Sequence, residues 1–195
     1  DESCMTIKFR WGFNAFVAEQ QKANPLATLT LIQFDSVNPQ EVVYDAVQVA
    51  QVKDLTAATF VPRANTPLLD ALGQAITRTG ERLRGLPSPQ RPERVLFVII
   101  TDGQENASRE YTRSKVFEMI FHQQDRYAWQ FIYLGANQDA IQEGGYLGIQ
   151  AGRAMTYGHN AIGTQAAFNI VSNYAVALGW ADGGTLPSMA FTPDE

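Results

Sequence analysis

At 195 residues, with 45% apolar and 18% charged side chains, the chain has the composition of one globular domain, long enough for a real core. A formal net charge of -5 argues against a nucleic-acid backbone as partner, and no apolar run reaches the length that spans a bilayer. The single cysteine, Cys4, excludes an internal disulfide and points to a reducing, cytoplasmic setting.

Strand-like and helix-like segments alternate along the chain, which is the pattern of a layered α/β domain. Phe9, Phe13, Phe16 and Val17 have helical spacing and predict an amphipathic helix to about Lys22, stopped by Asn24-Pro25. Thr28 to Phe34 reads as a strand, and Glu41 to Gln48 as a more polar, alternating edge strand. The short connection makes the two an antiparallel hairpin. Thr66 as N-cap and Pro67 in the first turn predict a second helix, carrying Leu68, Leu69, Leu72, Ala75, Ile76 and Leu83, and ended by Gly85 and Pro87. Arg78, Arg82, Arg84, Arg91 and Arg94 then read as a solvated helix end and loop.

The run Val95-Leu96-Phe97-Val98-Ile99-Ile100 stops at Thr101-Asp102-Gly103. An unbroken apolar run of this length is a strand covered on both faces, as in a parallel sheet, and should be among the most buried segments. A helix over Ser114 to Gln124, a strand over Trp129 to Leu134 and a short helix from Gln138 that fails at Gly144-Gly145 follow. Arg153 to Tyr157 is a last short strand, and Thr164 caps a final helix with Phe168, Val171, Ala175 and Leu178 on one face. Residues 181–195 read as a surface tail. The expected fold is a three-layer α/β domain with a mostly parallel sheet and one antiparallel edge strand. Such a sheet also needs a central strand leading into the first helix, expected upstream of Asp1.

Asp1-Glu2-Ser3 before the first helix, Thr66 before the second and Asp102 after the buried strand converge on one end of the sheet, where open α/β sheets place their ligands. Oxygen donors alone suit a hard cation such as Mg2+; with no His or Cys cluster, zinc is disfavoured. His122 reads as a helix-end charge, and His159 has no partner in sequence. Trp11, Trp129 and Trp180 read as packing residues, and Glu105 and Asn106 as a solvated loop at the rim.

These three loops in this order resemble the von Willebrand factor type A (VWA) family. Asp1-Glu2-Ser3 is similar to the start of its Asp-x-Ser-x-Ser motif, Asn65-Thr66-Pro67-Leu68-Leu69-Asp70-Ala71 to its threonine loop, and Thr101-Asp102-Gly103 to its second aspartate loop. Gly12-Phe13-Asn14-Ala15-Phe16 and Leu134-Gly135-Ala136-Asn137-Gln138-Asp139 resemble an uncharacterised bacterial and phage subgroup. The resemblance covers residues 1–180. It implies a Rossmann-like VWA fold and a metal-ion-dependent adhesion site, or MIDAS. Ser3 and Thr66 would touch Mg2+ directly, Asp1 and Asp102 would hold it through waters, and a partner's Glu or Asp would fill the open position. It implies a protein partner, no nucleic acid, no membrane, and work within a larger assembly.

The chain departs from that motif at Met5, where the second serine is expected, and at Cys4, where glycine is usual. The segment from Ser3 to Gly12 is also short. A thioether is a poor ligand for a hard cation. Three readings stand: a binding module without catalysis; a scaffold whose metal-free sheet end serves as the interaction surface; or a Mg2+-dependent hydrolase using Asp1 or Asp102, with Lys8 or Glu105 assisting the leaving group.

Overall fold

The computed structural model describes residues 4–61, 65–136, 139–158 and 160–180. In chain order the elements are α1 (Cys4–Ala23), β1 (Thr28–Gln33), β2 (Glu41–Gln48), α2 (Leu68–Gly85), β3 (Leu96–Thr101), α3 (Arg113–Tyr127), β4 (Gln130–Ala136), α4 (Ala140–Tyr146), β5 (Ala154–Tyr157) and α5 (Ala161–Trp180). Asp1, Ser3, His159 and the tail from residue 181 lie outside the described residues. Among the described residues, no helix is long and apolar enough to cross a membrane.

Among the described residues the strands form two sheets, where a single mostly parallel sheet with one antiparallel edge strand was expected. β1 and β2 are the expected antiparallel hairpin, with Thr28 opposite Gln48 and Gln33 opposite Glu41. A bulge interrupts the pairing where Ala46 takes a left-handed φ of 50° and its N–H turns to the Thr30 hydroxyl, 3.0 Å away. β3, β4 and β5 form a parallel sheet in that order, with Val98 beside Ile132 and Tyr133 beside Ala154.

Alternation along the parallel strands divides the core into two layers. Phe97 and Ile99 of β3, with Phe131 and Tyr133 of β4, face Leu69, Leu72 and Ile76 of α2 and Val116 and Ile120 of α3. Leu96, Val98, Ile100, Ile132 and Leu134 face Val171, Tyr174 and Leu178 of α5. α1 lies along α5 and buries Phe13 and Val17 against Phe168. Gln20 fixes the pair, its side-chain amide donating to the Ser172 carbonyl and hydroxyl.

Four expectations are corrected. β3 lies at the edge of its sheet and is only half buried, whereas every residue of β4 is buried. Among the described residues, β4 has a strand on both sides and β3 on one. Pro67, not Thr66, holds the N-cap position of α2, with no side-chain cap. The free amides of that helix are served from another loop, because Leu69 N–H donates to Glu105 Oε2 and Asp70 N–H to Ser108 Oγ. α4 starts at Ala140, capped by Asp139, and continues through Gly144 and Gly145. A Cβ on Gly144 would come within 3.1 Å of Ala154 Cβ, so glycine lets that helix sit against β5. Finally, Thr164 lies inside α5. Asn160 Oδ1 accepts from Gly163 N–H at the helix start, and the Thr164 hydroxyl donates back to the Asn160 carbonyl.

Candidate functional site

The carboxyl ends of β1, β3 and β5 come close to one another: Ser36 after β1 bonds Asn65, Thr66 lies against Gly103 after β3, and the charge of Asp102 is felt by Tyr157 at the end of β5. Thr101 closes the turn after β3: its hydroxyl donates to the Gly103 carbonyl at 2.8 Å and accepts from Gly103 N–H at 3.3 Å. Asp102 in this turn is exposed. Thr66 reaches the same turn. A methyl group on Gly103 would stand 2.6 Å from Thr66 Oγ1, so the closeness of hydroxyl and backbone requires glycine there. Thr66 and Asp102, the two candidate ligands among the described residues, are therefore brought together; Asp1 and Ser3 fall outside those residues.

Two buried or half-buried carboxylates lock the threonine loop to the loop after β3. Glu105 takes Leu69 N–H at 2.9 Å, Ala107 N–H at 3.0 Å, Ser108 N–H at 2.8 Å and the Ser108 hydroxyl at 2.7 Å. Asp70 in the first turn of α2 returns the tie, accepting N–H bonds from Arg109, Glu110 and Tyr111 at 2.8, 2.9 and 2.8 Å. Asn106 completes it: its side-chain oxygen accepts Thr66 N–H at 2.9 Å and its N–H donates to the Thr66 carbonyl at 3.2 Å. Burial pushes the Asp70 carboxyl up, but the backbone N–H groups of Arg109, Tyr111 and Glu110 and the Arg109 charge outweigh it and hold Asp70 below its ordinary value. Glu105 follows the same logic: burial raises it, and the bonds from Ser108, Leu69 and Ala107 bring it below the usual range.

Tyr157 is buried at the end of β5, near enough to Asp102 to feel its charge. Burial, and then the negative charge of Asp102, push its phenol up to about 12, so it stays a neutral hydroxyl at physiological pH. Asn65, in the left-handed region with φ 67°, donates its side-chain amide to the Ser36 hydroxyl after β1 at 3.4 Å.

The oxygen-only donor set of Thr66 and Asp102 fits a hard, water-rich cation such as Mg2+. Among the described residues, no group of three or more His, Cys, Asp or Glu is placed to hold a metal ion. The sequence reading missed Asp70, Glu105, Asn106 and Ser108 as the frame of this site. A signal was available: Asp70 interrupts the apolar stripe of α2, and a carboxylate there needs donors from elsewhere. No protein-family model, curated protein or solved structure matches the chain.

Proposed function

We propose that a crevice between these loops holds a hard divalent cation, Mg2+, between Thr66, Asp102, Asp1 and Ser3, and that a protein partner's Glu or Asp completes its shell. This is the MIDAS arrangement of a VWA-type domain, and the activity is binding rather than turnover. The observation that supports it best is the meeting of Thr66 Oγ1 with the Gly103 turn beside Asp102, held by hydrogen bonds from both sides. A bound cation would supply the positive charge that draws a carboxylate. The chain's own groups then have separate tasks. Asp102 offers charge, Thr66 a neutral oxygen, and Tyr157 a neutral phenol beside Asp102 that adds no second anion.

A second reading is favoured by one observation: α1 is already helical at Cys4, so Met5 sits in its first turn where the motif wants a hydroxyl. In that reading the same crevice recruits a partner without metal. Titration calorimetry with MgCl2 on the wild type, Thr66→Ala and Asp102→Ala separates the two. Binding that weakens about tenfold or more in both variants supports the cation site, since each loses one of a few ligands. Absence of Mg2+ and Mn2+ binding in the wild type favours the metal-free surface, and metal-dependent hydrolysis abolished by Asp102→Ala would make the chain an enzyme.

A further inference from the structure

α1 is held on two sides and open on a third. Toward the hairpin, the side-chain amides of Asn14 and Gln21 donate to the carbonyls of Leu55, Val49 and Val52. Toward α5, Gly12 lies against Phe168, Gln20 bonds Ser172 and Asn24 bonds Ala175, so the two helices run parallel. The remaining stripe, Trp11, Ala15, Ala18 and Lys22 at helical spacing, is exposed. Trp11 is 67% exposed, more than any other aromatic side chain among the described residues.

One turn beyond Trp11 the same face carries a hole. The lack of a side chain on Gly12 lets Phe168 come close, since a Cβ there would stand 2.3 Å from the ring. Past that contact Ala15 and Ala18 are too short to fill the space between the helices, which leaves an open cleft of about 410 Å3. Its exposed rim is Ala15, Ala18, Glu19 and Asn169, and the rings of half-buried Phe16 and buried Phe168 line it deeper in. Aromatic walls under a rim with oxygen acceptors suit an indole, whose ring is buried while its N–H finds Glu19 or Asn169. Ile162, 83% exposed and two turns before Asn169 on the same face of α5, extends the apolar surface.

We infer that this face pairs with the same face of a second copy, Trp11 of each chain seating in the α1–α5 cleft of the other across a two-fold axis. Such an interface needs one surface that carries both halves of every contact, and α1 carries them. The knob at Trp11 and the hole at Ala15 and Ala18 share a stripe. Beside it, toward α5, Lys8, Ala15 and Glu19 share a second one. With the two α1 helices antiparallel and the axis midway between Phe13 and Asn14, Lys8 comes opposite Glu19 of the second copy. Trp11 then comes opposite the level of Phe16, between Ala15 and Ala18. A single register therefore satisfies the steric pair and the charge pair together, and the symmetry makes each of them twice. Lys8 and Glu19 are about 16 Å apart along their own helix, too far to pair within one chain. Glu19 Oε1 takes Lys22 of its own helix at 2.9 Å, which occupies one of its two oxygens. A seated aromatic anchor with charges at its rim is how interfaces concentrate affinity and fix register.

Sedimentation velocity on the full chain, over about two decades of protein concentration, reads the association by mass action. EDTA is present throughout, so the cation site plays no part and the two proposals fail separately. The inference expects a monomer–dimer equilibrium in the wild type. Trp11→Ala, which removes the knob, and Ala18→Gln, which fills the hole from its own chain, should each weaken the dimer about tenfold or more. Both positions are exposed, so the monomer keeps its fold, checked by circular dichroism. Lys8→Glu and Glu19→Lys should each weaken association about threefold or more, and the double reversal should bring it back toward wild type. The inference is overturned if the wild type stays monomeric over the whole range, if Trp11→Ala dimerises as tightly as the wild type, or if the double reversal associates no better than the single ones.

Discussion

β3 and β4 read almost alike as sequence, Leu96-Phe97-Val98-Ile99-Ile100 beside Phe131-Ile132-Tyr133-Leu134, and they pair residue by residue in one parallel ladder. All of β4 is nevertheless buried, while in β3 only Ile99 and Thr101 are. The composition of an apolar run states what it can bury; the strands on either side decide what it does bury. β4 has β3 and β5, and β3 has β4 alone among the described residues.

Removing the same atoms from each strand exposes that difference. Ile132→Ala, at a position with no exposed surface, should cost about 3–4 kcal/mol, and Ile100→Ala on the same face about half that, by urea unfolding. Equal costs would break the comparison.

The loops at the crevice are held by polar bonds where the strands are held by packing. Asp70→Ala leaves the N–H groups of Arg109, Glu110 and Tyr111 without their acceptor and should cost about 2–3 kcal/mol. Asp70→Asn, which keeps one oxygen, should cost less.

The same carboxylates set a pH dependence that the strands lack. Asp70 and Glu105 titrate lower in the folded chain than in the unfolded one, so the unfolded chain binds more protons as pH falls. Their stabilisation is complete above the ordinary carboxylate range and is lost as pH drops below about 4 and through the folded values. Melting temperature followed from pH 6 to pH 2 should fall in that window, and Asp70→Asn should flatten part of the slope. At the small end, Arg78→Ala removes a half-exposed ion pair to Asp45 at 2.5 Å and should shift stability by no more than about 0.5 kcal/mol.

Much of this arrangement was legible in the sequence for identifiable reasons. Helical and alternating periodicity gave the β1–β2 hairpin, the parallel strands and the helices between them, because each layer needs an apolar face. The meeting of Thr66 with the Asp102 turn followed from the rule that loops leaving parallel strands share one end of the sheet. What sequence could not give was contact between distant loops. Thr66 looked like a helix cap because Thr before Pro usually is one; Glu105 and Ser108 occupy that role from 36 and 38 positions away in the chain. Glu105 and Asn106 looked like a solvated loop because their partners belong to another loop. The exposure of β3 was hidden for a related reason, since pairing is a property of the sheet and the strand's own residues do not report it.

The central claim is that Thr66 and Asp102 hold a hard cation at the carboxyl end of the sheet. Paramagnetic broadening of backbone amide signals by substoichiometric Mn2+, read on the full chain, tests it most directly. The account predicts selective loss of the Thr66, Asp102 and Gly103 signals, with those of α3 and the distant strand ends unaffected, and no such loss in Asp102→Ala. Broadening centred elsewhere, or unchanged in Asp102→Ala, would contradict it.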